Sequence, residues 1–275
     1  MMRGMFAAIS GLRNHQTMLD VTANDIANVN TVGYKSARAT FADALSQTQR
    51  GAASPGTTGG TNPAQVGLGV RLGSIDNLMS GGTMQSTGNG LDVAIQGEGY
   101  FRVGLSTPPA APTTFGYTRA GNFSTNEDGR LVTSEGYYVT GRTTTDATGV
   151  DTLLTIPPGS SSVAIGGDGS VSYSPAGGGA RAIAGYISLA KFPNEAGLER
   201  SSGTRWGQSA NSGAPAIGVP GGDFGVTTAG VLEMSNVDLA QSFTQMITAQ
   251  RGFQANSRVI STADQMLQDL VNLNR

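Results

Sequence analysis

A stripe of apolar residues near the C-terminus constrains this chain more than any other feature. At alternating steps of three and four it runs Leu239, Ser242, Met246, Ala249, Phe253, Asn256, Ile260, Ala263, Leu267 and Leu270, with Ser242 and Asn256 the polar members. That 3.5-residue period is the seam of a coiled coil rather than the broad face of an ordinary surface helix. Ser235 or Asn236 is expected to cap the start, its short side-chain oxygen accepting a bond from an otherwise unpaired backbone N–H. Over residues 237–273, at ~1.5 Å per residue, such a helix spans roughly 55 Å, too long to lie across one small domain.

The N-terminus repeats the pattern through Met2, Met5, Ile9, Leu12, Gln16, Leu19, Ala23 and Ile26, broken at Gln16. Fully burying one such Leu, Ile or Met is worth ~1.5–3 kcal/mol, yet neither helix alone has a surface to bury it against. The two ends therefore require each other or further copies of the chain, and a free monomer is expected to leave both partly disordered. Gly252 inside the second helix costs ~1 kcal/mol against Ala and is expected to mark the close approach of a neighbouring helix.

What lies between reads as β structure. Glycine makes up 41 of the 275 residues, about twice the usual ~7%. Leu91-Asp92-Val93-Ala94-Ile95 and Tyr100-Phe101-Arg102-Val103 read as a hairpin around residues 96–99. Further short strands are expected at 114–118, 129–133, 137–140, 162–165, 170–173 and 182–192, with Asp128-Gly129 and Asp168-Gly169 as turns. Trp206 reads as a core or edge anchor. The fold class is therefore α+β: long terminal helices forming a coiled-coil-like inner domain (1–35 plus 229–275), a connecting segment (36–72) and a mainly-β, sandwich- or barrel-like outer domain (73–228). Residues 50–61, rich in Gly, Ala, Ser and Thr, read as a flexible link.

The chemistry is sparse. The chain has no Cys, so thiol chemistry and disulfides are excluded, and its single His, His15, is expected on a helix surface. A net charge of −2 without a basic run argues against nucleic acid or an anionic membrane as partner. No apolar run is long enough to cross a bilayer, and no cleavable signal peptide is apparent. Gly67, Gly69 and Gly73 lack the strand–helix context of a dinucleotide loop. Ser124, Asn126, Asp128, Gly129, Leu131 and Glu135 fall at the spacing of a calcium-binding EF-hand loop, but the flanks read as strands, so an acidic β-turn is expected. No nucleophile, paired carboxylates, metal site or cofactor site emerges, and an enzyme is not expected.

The first helix stops in Ala23-Asn24-Asp25-Ile26-Ala27-Asn28-Val29-Asn30-Thr31-Val32-Gly33-Tyr34-Lys35, where Asn and Thr compete for backbone bonds and Gly33 can take positive φ. This string resembles the N-terminal signature of the bacterial flagellar rod and hook axial proteins. It matches at Asn24, Ile26, Ala27, Asn28, Thr31, Gly33, Tyr34 and Lys35, and departs with Asp25 where Asn is common. Residues 91–101 also resemble this family, and residues 59–70, 246–257 and 270–273 are similar to hook protein.

The resemblance implies a structural subunit that is exported through the flagellar type III channel without a cleaved signal peptide. Such a subunit polymerises with itself into a helical tube, because head-to-tail contacts between identical copies do not close. The expected interface is Met2, Met5, Ile9, Leu12, Leu19, Ile26, Leu239, Met246, Phe253, Ile260, Leu267 and Leu270. At its ends the tube would meet other axial proteins (rod, hook cap, hook–filament junction). Neither nucleic acid nor membrane insertion is expected. On residues 59–67 and the Gln250-Arg251-Gly252-Phe253-Gln254 string, a short extracellular hook protein transmitting motor torque is preferred. A distal rod protein of the basal body is the alternative, and a secreted β-rich binding protein with a coiled-coil stalk is the reading from another class.

Overall fold

The computed structural model describes residues 2–273 apart from 53, 55–58, 106–113, 144–150 and 176–178. It is a mixed α+β structure with one helix at each end and a β-rich region between them. The chain divides into two compact units: Met1–Ala27, Ala37–Asn77 and Asp238–Arg275 form the first, and Asn28–Ser36 with Leu78–Val237 form the second.

In the first unit, helix α1 (Met2–Ala27) ends inside the Asn- and Thr-rich string, and helix α2 (Leu239–Leu273) carries the long C-terminal stripe. The α2 cap is neither Ser235 nor Asn236. Asp238 takes that role, its Oδ1 accepting from the N–H groups of Ala240 at 2.8 Å and Gln241 at 3.1 Å. Asn236 is occupied in the second unit, where its Oδ1 accepts from Ser36 N–H and its Nδ2 donates to the Leu78 carbonyl, both at 2.8 Å. No described helix is long and apolar enough to cross a membrane.

Most of the connecting segment forms a two-stranded ribbon, whose strands flank the 50–61 link. Strand β1 (Ala37–Asp43) leads to β2 (Ser46–Arg50), and β3 (Ala64–Gly67) leads back to β4 (Val70–Asn77). β1 pairs antiparallel with β4 from Ala37–Asn77 to Asp43–Val70, and β2 pairs with β3 from Ser46–Gly67. The bonds Ala44 N–H to Gly69 O and Leu68 N–H to Leu45 O carry the ladder across the gap. Thr, Val and Ile favour the strand here, and the ribbon supplies its own backbone partners. Part of the 50–61 link lies outside the described residues.

The ribbon is tied to α1. Asn14 Nδ2 donates to Val70 O at 2.8 Å, and Val70 N–H donates to Ser10 Oγ at 3.2 Å. Gly69 sits above Ser10 with φ of +114°, where a Cβ would lie 2.3 Å from that hydroxyl oxygen. A larger residue fails there on both counts.

The second unit is built on a 13-stranded sheet whose main path is wholly antiparallel. It runs through 161–165, 170–174, 182–187, 138–142, 100–105, 114–118, 205–207 and 199–200, and its two ends do not pair with each other among the described residues, so no closed barrel forms. The strand Tyr100–Leu105 is covered on both faces. Phe101 and Val103 enter one core with Val93, Ile95, Leu131 and Ile187, while Tyr100 enters a second with Tyr117, Phe192 and Trp206.

The expected hairpin 91–103 does not form. Val93–Gln96 pairs instead with Val226–Ala229, and Tyr100–Leu105 with Thr114–Thr118. Gly97 and Gly99, at φ of +114° and +128°, turn the chain away, and Gly225 N–H donates to Glu98 O at 2.8 Å. The turns at Gly129 and Gly169 form as read, with φ of +74° and +75°. The Ser124–Glu135 loop is a strand–turn–strand hairpin in which Asn126 Oδ1 accepts from Arg130 N–H and Glu135 pairs with Arg205.

Candidate assembly interface

The helices of the first unit pack on each other. A Cβ at Gly11 would lie 2.7 Å from the Asn256 amide nitrogen, and one at Gly252 would lie 2.5 Å from the His15 ring. Four residues forward on α1 is four back on α2, so the pair is antiparallel. Gly252 marks the close approach expected of it. His15 is not on the surface: it is half-buried under α2, and its Nδ1 is enclosed without a hydrogen-bond partner.

On α2 the inward face is the stripe read from the sequence. Ser242, Ala249 and Ala263 are buried, and Met246, Phe253, Asn256, Ile260 and Leu267 are half-buried. The stripe opens at its ends, where Leu239 and Leu270 are exposed.

On α1 the most buried line is Ala8, Gly11, Thr22 and Asp25, one position away from the expected stripe. Met5, Ile9, Leu12, Leu19 and Ile26 flank it half-buried, and the Met2 side chain lies outside what is described. The helix packs on both α2 and the β1–β4 ribbon, so it needs a wider buried face than a two-helix seam. Close helix approach selects small residues, which hydropathy does not mark.

Further apolar side chains face out of the unit, and the sequence reading missed them. Phe243, Ile247, Val259 and Met266 on α2 and Phe6 on α1 are about half exposed or more. On α2 they stand on both flanks of the inward stripe, Phe243 and Ile247 on one side and Val259 and Met266 on the other. Next to Phe6 lies an open groove of about 480 Å³ lined by Ile9, Ser10, Arg13, Asn14 and Val70.

From Asn28 on, the signature segment does different work, inside the second unit. Thr31 Oγ1 and N–H bond back to Asn28 at 3.0 and 3.1 Å, closing the turn after α1. Gly33 has φ of +69°, and a Cβ there would lie 2.5 Å from the Ala120 backbone nitrogen. Tyr34 is buried with the Arg200 guanidinium 4.7 Å from its ring. Asn24 and Ala27 are exposed, and Ile26 is half-buried.

Lys35 is almost fully enclosed. Its Nζ donates to Glu233 Oε1 at 2.5 Å and to Ser80 O at 2.8 Å. Burial pulls the ammonium below its ordinary range, and the Glu233 carboxylate opposes that pull. Arg119 Nη1 stands 3.4 Å from Glu233 Oε2, Gly82 N–H donates to Oε1 at 3.0 Å, and Gly33 N–H donates to the Glu233 carbonyl. Glu233 thus collects two cations and joins the chain's passage into this unit to its passage out. Nothing in the sequence marks it, since one acidic residue in a short strand reads as surface. Among the described residues no group of three or more His, Asp or Glu side chains converges as metal ligands would.

Three family models match the chain. The flagella basal body rod protein model covers residues 5–35, the flagellar hook protein FlgE/F/G D1 domain covers 94–173, and the flagellar basal body rod FlgEFG protein C-terminal model covers 228–273. The chain is 46% identical to the flagellar basal-body rod protein FlgG of Bacillus subtilis (strain 168) over the whole of both. It is 41% identical to FlgG of Caulobacter vibrioides over 97% of each. The flagellar hook protein FlgE of Borreliella burgdorferi is 27% identical over 99% of this chain and all of that protein. That alignment takes 446 positions against this chain's 275 residues, so the hook relative carries long insertions.

Proposed function

Since the chain belongs to the family of flagellar rod and hook axial proteins, which are structural and not catalytic, we propose that it is a subunit of the distal rod of the basal body, polymerising with itself into a straight, stiff tube. The single observation that carries this is the end-to-end match to rod proteins, against a hook relative that aligns only across long insertions. The preference for the hook gives way here. The segments that suggested it, residues 59–67 and 250–254, fall within the full-length match to rod proteins and do not separate the two.

The ribbon supports the same choice. A universal joint needs a segment that changes shape with little loss of contact, whereas paired strands β1–β4 lose a ladder of backbone bonds if they bend. The terminal helices form the inner wall as a coiled-coil-like layer. The inward stripes hold α1 to α2 within a subunit, and the exposed flank of Phe243 and Ile247 meets the neighbouring copy. Export proceeds without a cleaved signal, and the tube ends join other axial proteins.

Electron microscopy of the purified protein under polymerising conditions tests the reading. Straight tubes of constant diameter are expected. Curved or bendable tubes would restore the hook, and a small closed oligomer with helical termini would favour a stalked binding protein.

A further inference from the structure

The antiparallel register leaves part of α2 without a partner in its own chain. Gly11 faces Asn256 and His15 faces Gly252, so Met2 comes opposite about residue 265. The last two turns of α2, Met266 to Leu273, therefore extend past the start of α1. This overhang is apolar and open: Met266 is 49%, Leu270 50%, Val271 71% and Leu273 83% exposed. Its charged side chain is Asp269, with Asp264 one turn before.

The groove on α1 is its complement. Arg3, Phe6, Ser10 and Arg13 follow one another at steps of three and four, on one face. Phe6 and Ile9 give that face an apolar centre, and exposed Arg3 and Arg13 give it positive ends. Residues 6–14 span ~12 Å along the helix, as does the overhang. An acidic, apolar helix end and a cationic, apolar groove of equal length sit on one molecule. They are out of each other's reach, because Arg13 lies opposite about residue 254.

We propose that the α2 overhang of one copy docks in the Phe6–Ile9–Arg13 groove of the next, with Asp269 toward Arg13. The occupant is a second copy of this chain, as a helix laid in a groove. The contact is heterologous, since each copy uses one patch to give and another to receive, so it propagates instead of closing. This rests on the polymer reading above and names the joint that the polymer uses.

The absence of cysteine makes the test clean. In an Arg13→Cys/Asp269→Cys chain the two thiols of one copy stand ~23 Å apart along the helix pair, beyond the ~7 Å Cα reach of a disulfide. Mild oxidation under polymerising conditions should give a ladder of covalent multimers, whereas each single variant stops at dimers. Tubes without a ladder would overturn the groove and leave the rod reading standing. Neither tubes nor ladder, in wild type and variant alike, would overturn both. Charge exchange supplies a second readout. Arg13→Glu should raise the concentration needed for polymerisation at least about tenfold, and adding Asp269→Arg should bring it back to within about twofold. Failure of that rescue also counts against the joint.

Discussion

The Lys35 ammonium lies 2.5 Å from Glu233 Oε1, two buried side chains 198 positions apart in the chain. With Arg119 at 3.4 Å, the carboxylate balances two cations in a place that water does not reach. Glu233→Gln leaves both cations without a counter-charge and should cost about 3–5 kcal/mol. Lys35→Met should cost less, because Arg119 still answers Glu233. Urea unfolding followed by the buried Trp206, a reporter inside the second unit, measures both. Equal losses for the two variants would contradict the shared-anion arrangement.

The helix pair offers a packing test. A methyl at Gly252 would press into the His15 ring, so Gly252→Ala gains helix propensity but overpacks the contact, for a net loss of about 1–3 kcal/mol. His15→Ala in the same chain should recover most of that loss by removing the ring. Far-ultraviolet circular dichroism during thermal unfolding reads the helices directly. A Gly252→Ala chain as stable as wild type would show that α1 and α2 do not approach so closely.

Legibility in the sequence followed how each position is held. The inward stripe of α2 was plain, because Met246, Phe253, Ile260 and Leu267 carry the period themselves. The matching line on α1 was not, because Ala8, Gly11 and Thr22 are chosen for size and have no hydropathy to announce them. Asn236 looked like a cap, but two long-range backbone partners claim it, and Asp238 took the role. The strands at 93–96 and 100–105 were found while their pairing was missed, since their partners at 226–229 and 114–118 are set by the whole sheet. Glu233 was invisible for the same reason: its significance lies in Lys35 and Arg119, both distant in sequence.

Alkaline pH should weaken the second unit through its buried phenols. Burial raises Tyr100 well above the ordinary tyrosine range and raises Tyr117 as well. The folded state holds the neutral form, so this contribution is fully present below the unfolded value of ~10 and is lost as pH climbs toward the raised folded values. Urea midpoints at pH 9 and pH 11 should therefore diverge, and the divergence should shrink in Tyr100→Phe. An unchanged difference in that variant would place the alkaline weakness elsewhere.

The two faces of α2 should respond differently to charge. Phe253 is half-buried on the side turned to α1, while Ile247 is 50% exposed on one flank of the stripe. Phe253→Asp places a carboxylate inside the subunit, where an unpaired charge costs several kcal/mol, so the helix pair and the polymer should both fail. Ile247→Asp puts its charge in water while the chain is alone. Its unfolding should stay within about 0.5 kcal/mol of wild type, as for an ordinary surface change. Once a neighbour covers that face the same charge is buried, and polymerisation should stop. Circular dichroism melts give the first quantity, and sedimentation with electron microscopy gives the second. If Ile247→Asp forms tubes at the wild-type concentration, the Phe243–Ile247 flank faces solvent in the polymer. The subunits would then have to be joined through other surfaces, with the ribbon β1–β4 the next to examine.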